Sequence, residues 1–68
     1  MTNQTIKHFP YPLTDRDINS LLVGEYFTYE IRYYSGGIGY KKGLKVSSQF
    51  MIPIGLSCDT IERARTQS

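Results

Sequence analysis

The chain has very few of the residues that give small proteins covalent or metal cross-links. Its 68 residues include one cysteine, Cys58, and one histidine, His8. A lone cysteine excludes an internal disulfide, and two soft ligands do not complete the tetrahedral set of a structural zinc site. We therefore expect no cofactor. A domain of this size is expected to gain stability by binding a second copy or another macromolecule.

A targeting segment and a long apolar run are also missing. The first residues, MTNQTIKHFPYPL, contain no apolar core of a signal peptide. The longest apolar stretch, residues 50 to 56, is interrupted by Pro53 and Gly55. We therefore expect no membrane association. A single thiol fits a reducing compartment, and the expected location is cytoplasmic.

Groups for catalysis are equally scarce. Cys58 and His8 could pair as a thiolate and a base, but a chain of 68 residues has little volume for an active-site pocket. The phosphatase-type spacing C-x5-R fails because position 64 is alanine. Helix capping and strand alternation already explain the carboxylates. We predict a protein that is not an enzyme and takes no small-molecule substrate.

The net charge of +2 is unevenly distributed along the chain. Residues 1 to 30 contain two basic and four acidic side chains, whereas residues 31 to 68 contain six basic and two acidic ones. The positive charge is therefore expected on the sheet and the C-terminal tail. Ordinary solubilising charge is the alternative explanation.

The prolines and a capping motif divide the chain into an arm and a domain. Pro10 and Pro12 favour extended backbone, so residues 1 to 13 are predicted to form an extended N-terminal arm. A single compact α+β domain is predicted over residues 14 to 66.

A helix is predicted at the start of this domain, over residues 15 to 23. Thr14 and Asp17 form a T-x-x-D capping box at its start, and Gly24 is a typical stop. The i, i+3, i+4 rule places three apolar side chains on its inner face, namely Ile18, Leu21 and Leu22.

Alternating side chains predict strands after the helix. Residues 25 to 34, EYFTYEIRYY, place every second residue on the same side. One side has Phe27, Tyr29, Ile31 and Tyr33, and the other has Tyr26, Thr28, Glu30, Arg32 and Tyr34. Residues 44 to 52 repeat the pattern with Leu44 inward and Lys45 outward, and Pro53 is expected to end this strand. Turns at SGG and YKKG leave residues 38 to 40 as a short middle strand.

These elements predict an α+β fold in which a small three-stranded antiparallel sheet packs on one capped N-terminal helix. A short C-terminal helix or tail follows, with Asp59 and Glu62 as a capping pair. The alternative is a two-stranded hairpin with a long glycine-rich loop.

The glycine-rich segment 33 to 43, YYSGGIGYKKG, invites comparison with nucleotide-binding loops. Its G-x-G-x-x-x-G spacing is one residue too long for a dinucleotide loop, and a strand pattern follows it where a helix is needed. The P-loop sequence G-x-x-x-x-G-K is absent. The glycines are instead expected to supply the backbone conformations of turns.

Tyrosines and basic side chains on the outward side of the strands predict a binding surface. Its predicted members are Tyr26, Arg32, Tyr34, Tyr40, Lys41, Lys42 and Lys45. Tyrosine rings can stack on unpaired bases, and cations can contact phosphates, so the first hypothesis is a small regulatory module that binds nucleic acid. The surface lacks an RNP-type motif and has Glu30 at its centre.

Protein binding is the alternative. Tyrosine and arginine are enriched in protein interfaces, and a small sheet exposes edges that can pair with another strand. The chain would then be an inhibitor or adaptor, of the size that phages or other mobile elements encode to act on a host protein. A homodimer could use the same surfaces. If the cations lie on opposite sides of the sheet, protein binding becomes the better hypothesis.

Overall fold

The computed structural model describes residues 6 to 67. In chain order the elements are β1 (Lys7–Phe9), α1 (Asp15–Asn19), β2 (Tyr26–Arg32), β3 (Ile38–Lys45), β4 (Met51–Cys58) and α2 (Ile61–Arg65). The four strands form one sheet in the order β1-β2-β3-β4. The molecule is flat, measuring 33 × 31 × 17 Å.

The prediction of a three-stranded antiparallel sheet is wrong, because β1 adds a fourth strand and makes the sheet mixed. The predicted packing of the sheet on the N-terminal helix is wrong as well, because α2 packs against β2, β3 and β4 whereas α1 makes few contacts with the strands. Lys7–Phe9 run parallel to β2, with His8 opposite Thr28, while the other two pairings are antiparallel. A parallel neighbour needs a crossover connection, and the segment that contains α1 provides it. Residues 7 to 9 of the predicted arm thus belong to the sheet. Residues 1 to 5 of the arm and residue 68 lie outside the described residues.

The predicted turn at YKKG is also wrong, as is the two-stranded alternative, because β3 runs unbroken from Ile38 to Lys45. Its glycines make room for aromatic rings. A Cβ atom on Gly43 would lie 2.6 Å from Cζ of Phe27, and one on Gly39 would overlap the ring of Tyr33. A chain reversal occurs at residues 33 to 37, where Gly36 has a φ of 101°.

Pro53 does not end the last strand. It lies within β4, opposite Gly43. β4 is an edge strand, so the N–H that proline lacks is not needed for pairing with another strand. The pairing shifts between Tyr40 and Lys42, and Gly55 beside this shift has a φ of 73°.

Strand register divides the side chains between two faces. Paired residues share a face and successive residues alternate. We call the face that contains Phe27, Gly43 and Lys45 the α1 face, because Lys45 contacts α1. The opposite face, with Thr28 and Lys42, is the α2 face, because Lys42 contacts the chain just after α2.

The capping box at the start of α1 is confirmed. Thr14 Oγ1 accepts from the Asp17 amide, and the Thr14 amide donates to the Asp17 carboxylate, both at 3.2 Å. The helix ends at Asn19, before the predicted residue 23, and the Ser20 hydroxyl donates to a carbonyl of its last turn. Consequently Leu21 is buried whereas Leu22 is exposed.

The C-terminal segment forms α2, whose cap is Thr60. The Thr60 hydroxyl accepts from the Arg63 amide, so the predicted Asp59–Glu62 capping pair is wrong. Asp59 instead lies 3.8 Å from the Arg63 guanidinium. Within the described part of the chain, no helix is long and apolar enough to cross a membrane.

The core is small. Among residues 6 to 67, the buried apolar side chains are Leu21, Phe27 and Ala64. Phe27 is completely buried, with the Phe9 and Tyr29 rings 5.8 and 5.7 Å from its own. In contrast, twelve large apolar or aromatic side chains are exposed. The fold therefore leaves apolar surface that a binding partner could cover.

Replacing Lys45 by alanine should destabilise the fold strongly. The side chain is 3% exposed, and its ammonium group donates to the carbonyls of Ile18 and Leu21 at 2.6 and 3.0 Å. Lys45→Ala leaves these acceptors at the end of α1 without their donor and should cost about 2 to 4 kcal/mol in urea unfolding. The control Lys41→Ala, on the same strand and face, should cost less than about 0.5 kcal/mol. Equal costs would contradict this role for Lys45.

Candidate functional site

The structure does not bring the seven predicted binding residues together. Tyr26, Arg32, Tyr40 and Lys42 lie on the α2 face. Lys41 and Lys45 lie on the α1 face, because they alternate with Lys42 along β3, and Tyr34 lies in the turn after β2. The cations are therefore divided between opposite sides of the sheet.

Most of these cations already have partners inside the protein. The prediction that Lys45 faces outward is wrong, because its side chain is buried and its ammonium group donates to carbonyls at the end of α1. The Lys42 ammonium donates to the Gln67 carbonyl at 2.9 Å and lies 4.6 Å from the centre of the Tyr26 ring. The Arg32 guanidinium lies 5.3 Å from the centre of the Tyr11 ring. Of the four predicted basic residues, only Lys41 has no polar or ring contact within residues 6 to 67. A phosphate would have to compete with these internal contacts.

The predicted tyrosines differ in exposure. Tyr40 is half-buried, with its ring 5.8 Å from that of His8. Tyr26 is exposed but lies beneath Lys42. Tyr34, at the turn between β2 and β3, is fully exposed. The structure therefore leaves Tyr34 as the predicted tyrosine that is most available to a partner.

A polar cluster on the α2 face superficially resembles a catalytic relay. His8 Nδ1 lies 2.9 Å from Thr28 Oγ1, and His8 Nε2 lies 3.6 Å from a Glu30 carboxylate oxygen. However, Thr28 is 1% exposed in the middle of a strand, so its hydroxyl cannot reach a substrate. The cluster instead links β1 to β2. Within the described residues, no group of three or more His, Cys, Asp or Glu side chains is arranged to hold a metal ion.

One end of the sheet gathers exposed aromatic, aliphatic and arginine side chains. We call this surface the tyrosine end, and its members are Tyr11, Arg32, Tyr34 and Ile38. Arg32 is paired with Ile38 across the strands and lies over the Tyr11 ring. Tyr34 follows β2 by two residues. All four side chains are exposed.

Local hydrogen bonds fix the backbone of the tyrosine end. The Tyr33 amide donates to the Gly37 carbonyl at 2.7 Å, and the Gly36 amide donates to the Tyr33 carbonyl at 2.9 Å. The Tyr33 ring packs over Gly39 and its hydroxyl donates to Ser57 at 3.2 Å. On the other side, the Tyr11 amide donates to the Glu30 carboxylate at 3.3 Å. These bonds order the backbone that carries the tyrosine end.

Sequence reasoning missed Tyr11 and Ile38 as members of this surface. The sequence predicts an extended arm that contains Tyr11, whereas the position of Tyr11 beside Arg32 depends on the pairing of β1 with β2. The sequence also predicts a middle strand that contains Ile38, but the residue opposite Ile38 depends on where the turn falls. The available signal for Tyr11 was the sequence F-P-Y-P, which indicates an aromatic side chain in an extended segment.

The long edge of the sheet is poorly suited to pairing with another strand. Pro53 in β4 has no N–H, and the Leu56 amide already donates to the Gln67 side chain at 3.2 Å. Gly55 between them has left-handed backbone, which interrupts the regular edge. These features are typical of edges that resist strand addition.

No protein-family model, curated protein or solved structure matches this chain. A functional role therefore has to be inferred from the side chains and surfaces described above.

Tyr29 provides a test of packing on the α1 face. Burial raises the pKa of Tyr29 above its ordinary value of about 10. The folded state therefore holds this proton more tightly than the unfolded state. Its contribution to stability is complete below pH of about 10 and is lost as the pH rises through the folded-state pKa.

An absorbance titration of phenolate formation can measure this effect. The difference between the wild-type and Tyr29→Phe titrations should have its midpoint above pH 10, and Tyr29→Phe should reduce the alkaline loss of stability. A midpoint at or below about 10 would show that Tyr29 is not desolvated in this way.

Proposed function

We propose that the chain is a non-enzymatic protein-binding module, acting as an inhibitor or adaptor, that docks on its partner through the tyrosine end. The observation that carries this proposal is the grouping of exposed Tyr11, Arg32, Tyr34 and Ile38 at one end of the sheet. Tyrosine and arginine are the residue types over-represented among interface hot spots. The aliphatic side chain of Ile38 adds apolar area beside them.

The pre-ordered backbone of this end also supports protein binding. The turn is closed by hydrogen bonds, and Arg32 is held over the Tyr11 ring. This chain would therefore lose less conformational entropy on binding than it would if the surface were a mobile loop. Tyrosine adds contact area with only two rotatable side-chain bonds, which reduces the cost further.

The nucleic-acid hypothesis has less support from this geometry. This hypothesis needs one outward surface on which the basic side chains lie together. In the structure, Lys41 and Lys45 lie on the face opposite to Arg32 and Lys42. Lys45 is also buried. It remains the competing hypothesis and is tested separately below. The cytoplasm is the proposed compartment, on the basis of the single free thiol.

Photo-crosslinking can identify the partner and the surface together. A photoreactive phenylalanine analogue at position 34 should capture a discrete protein from an extract of the source cells. Purified partner should then bind Tyr34→Ala and Arg32→Ala about 10- to 100-fold more weakly than wild type, as expected for hot-spot residues. Binding should be measured by calorimetry or biolayer interferometry.

Leu56→Ala is the matched control for this experiment, because Leu56 is exposed on β4 but does not belong to the tyrosine end. It should bind the partner with wild-type affinity. If Leu56→Ala weakens binding while Tyr34→Ala and Arg32→Ala do not, the proposed surface is wrong. If position 34 captures no discrete protein, the proposal loses its support.

Fluorescence anisotropy with labelled single-stranded and duplex oligonucleotides tests the competing hypothesis. The divided cations predict weak binding without a steep salt dependence, and little change in Lys41→Glu. Tight binding at low salt that falls steeply as salt rises, and that Lys41→Glu weakens strongly, would favour nucleic-acid binding instead.

A further inference from the structure

The end of the sheet opposite to the tyrosine end is apolar. We call it the apolar end, and its members are Leu22, Val23, Tyr26, Val46, Phe50 and Ile52. All six side chains are exposed, and Leu22, Val23 and Phe50 are each more than 60% exposed. Of the twelve large apolar or aromatic side chains that are exposed among residues 6 to 67, half are therefore at this end.

Strand pairing brings these residues together. Tyr26, Leu44 and Ile52 are successive partners across β2, β3 and β4, so their side chains form one row on the α2 face. The pairing continues beyond this row, where the Val46 amide donates to the Phe50 carbonyl at 3.0 Å.

The loop before β2 joins the same end. The Gly24 amide donates to the Lys45 carbonyl at 2.7 Å, next to Val46. This bond holds Leu22 and Val23, which immediately precede Gly24, beside the end of the sheet. The row and the loop together make an apolar surface on regular, hydrogen-bonded backbone.

The second helix does not cover this row. The chain after α2 is anchored one row away, where Lys42 donates to the Gln67 carbonyl and the Leu56 amide donates to the Gln67 side chain. Tyr26 and Ile52 consequently stay about half exposed, with Leu44 between them. A sheet face of this kind is usually packed against a second layer.

Charged side chains of both signs border this surface. Lys45 is buried, Lys42 lies on the Tyr26 ring, and Glu25 is paired with Lys7 at 3.8 Å. Asp15 lines a pocket beside Phe50. Charge of one sign therefore does not dominate the surface, and a second copy would meet charges of both signs.

We propose that two copies of the chain pair symmetrically through the apolar end, with the row formed by Tyr26, Leu44 and Ile52 packed against the same row of the second copy. A two-fold interface uses the same surface on both copies, and two sheet faces pack well at about 10 Å separation. The pairing would supply the second layer that the chain lacks on this part of the α2 face.

The area available fits a weak but specific dimer. Six side chains of this size and exposure bury about 500 Å² per copy, or about 1,000 Å² in total, which is near the lower limit of specific interfaces. We therefore expect a dissociation constant of about 1 to 100 µM, so that dimer and monomer are both observed in this concentration range.

Sedimentation equilibrium from about 1 to 500 µM tests this proposal directly. The wild type should change from monomer to dimer over this range, whereas Ile52→Lys should weaken dimerisation at least 10-fold, because it places a charge from each copy in the apolar interface. The matched control is Leu56→Lys, which adds the same charge to an exposed position of the same strand. It should dimerise like the wild type.

Two outcomes would overturn the proposal. One is a wild type that stays monomeric at 500 µM, which would show that the apolar end does not bind a second copy of the chain. The other is a dimer that Leu56→Lys and Ile52→Lys weaken equally, which would place the interface elsewhere. Circular dichroism and urea unfolding should show that both variants are folded, so that loss of the dimer is not loss of the fold.

Disulfide trapping gives a second measurement that does not depend on the lysine variants. In a Cys58→Ser background, Leu44→Cys, in the middle of the row, should form a covalent dimer under mild oxidation, and the control Leu56→Cys should not. Equal trapping at both positions, or none at position 44, would contradict the proposed interface. Because neither position belongs to the tyrosine end, failure here would leave the proposed protein-binding function untouched.

Discussion

The packing of Phe27 over Gly43 is the constraint on which the rest of the structure depends. Phe27 is completely buried, and a Cβ atom at position 43 would overlap its ring. The register that places these two residues opposite each other decides which side chains share a face, because a shift by one residue would exchange the faces of a whole strand. This register places Lys45 on the α1 face and Lys42 on the α2 face. The packing of Phe27 over Gly43 therefore determines on which face of the sheet each of these lysines lies.

A chain this small uses polar side chains for structure that larger proteins obtain from apolar packing. The Lys45 ammonium satisfies two carbonyls at the end of a short helix, and Lys42 secures the chain after α2. The hydrogen bond between the side chains of His8 and Thr28 links β1, which has only three residues, to β2. These contacts occupy cations that appear free in the sequence. Strand register in turn divides the four basic side chains that were predicted to share one surface between the two faces of the sheet.

The two exposed ends of the sheet differ in chemistry and are suited to different partners. The tyrosine end combines aromatic rings with Arg32, which suits a partner with polar as well as apolar groups. The apolar end is a nearly neutral row of strand side chains, which suits a copy of itself. If both proposals hold, each dimer presents two tyrosine ends, and it could bind a partner with two sites more tightly than a single copy binds one.

Part of this fold can be read directly from local sequence patterns. The capping box of Thr14 and Asp17 and the strand pattern of β2 depend on residues close together in the chain, and both elements are present in the structure. Burial in β2 does not alternate as predicted, because Thr28 on the expected outward side is 1% exposed. The alternation also placed Tyr26 and Arg32 correctly on one face. Such features are determined locally, because their hydrogen bonds or periodicity need no distant partner.

The remaining features were decided by tertiary contacts. A strand as short as Lys7–Phe9 shows no periodicity of its own and forms because β2 offers it an edge. The local sequence around Gly43 predicts a turn. Phe27 packs over Gly43 in the structure, and no residue near Gly43 in the sequence indicates this contact. Pro53 is tolerated because β4 has no strand on its outer side. The sequence alone thus determined the start of α1 and the strand pattern of β2, whereas the fourth strand and the separation of the cations depended on long-range pairing.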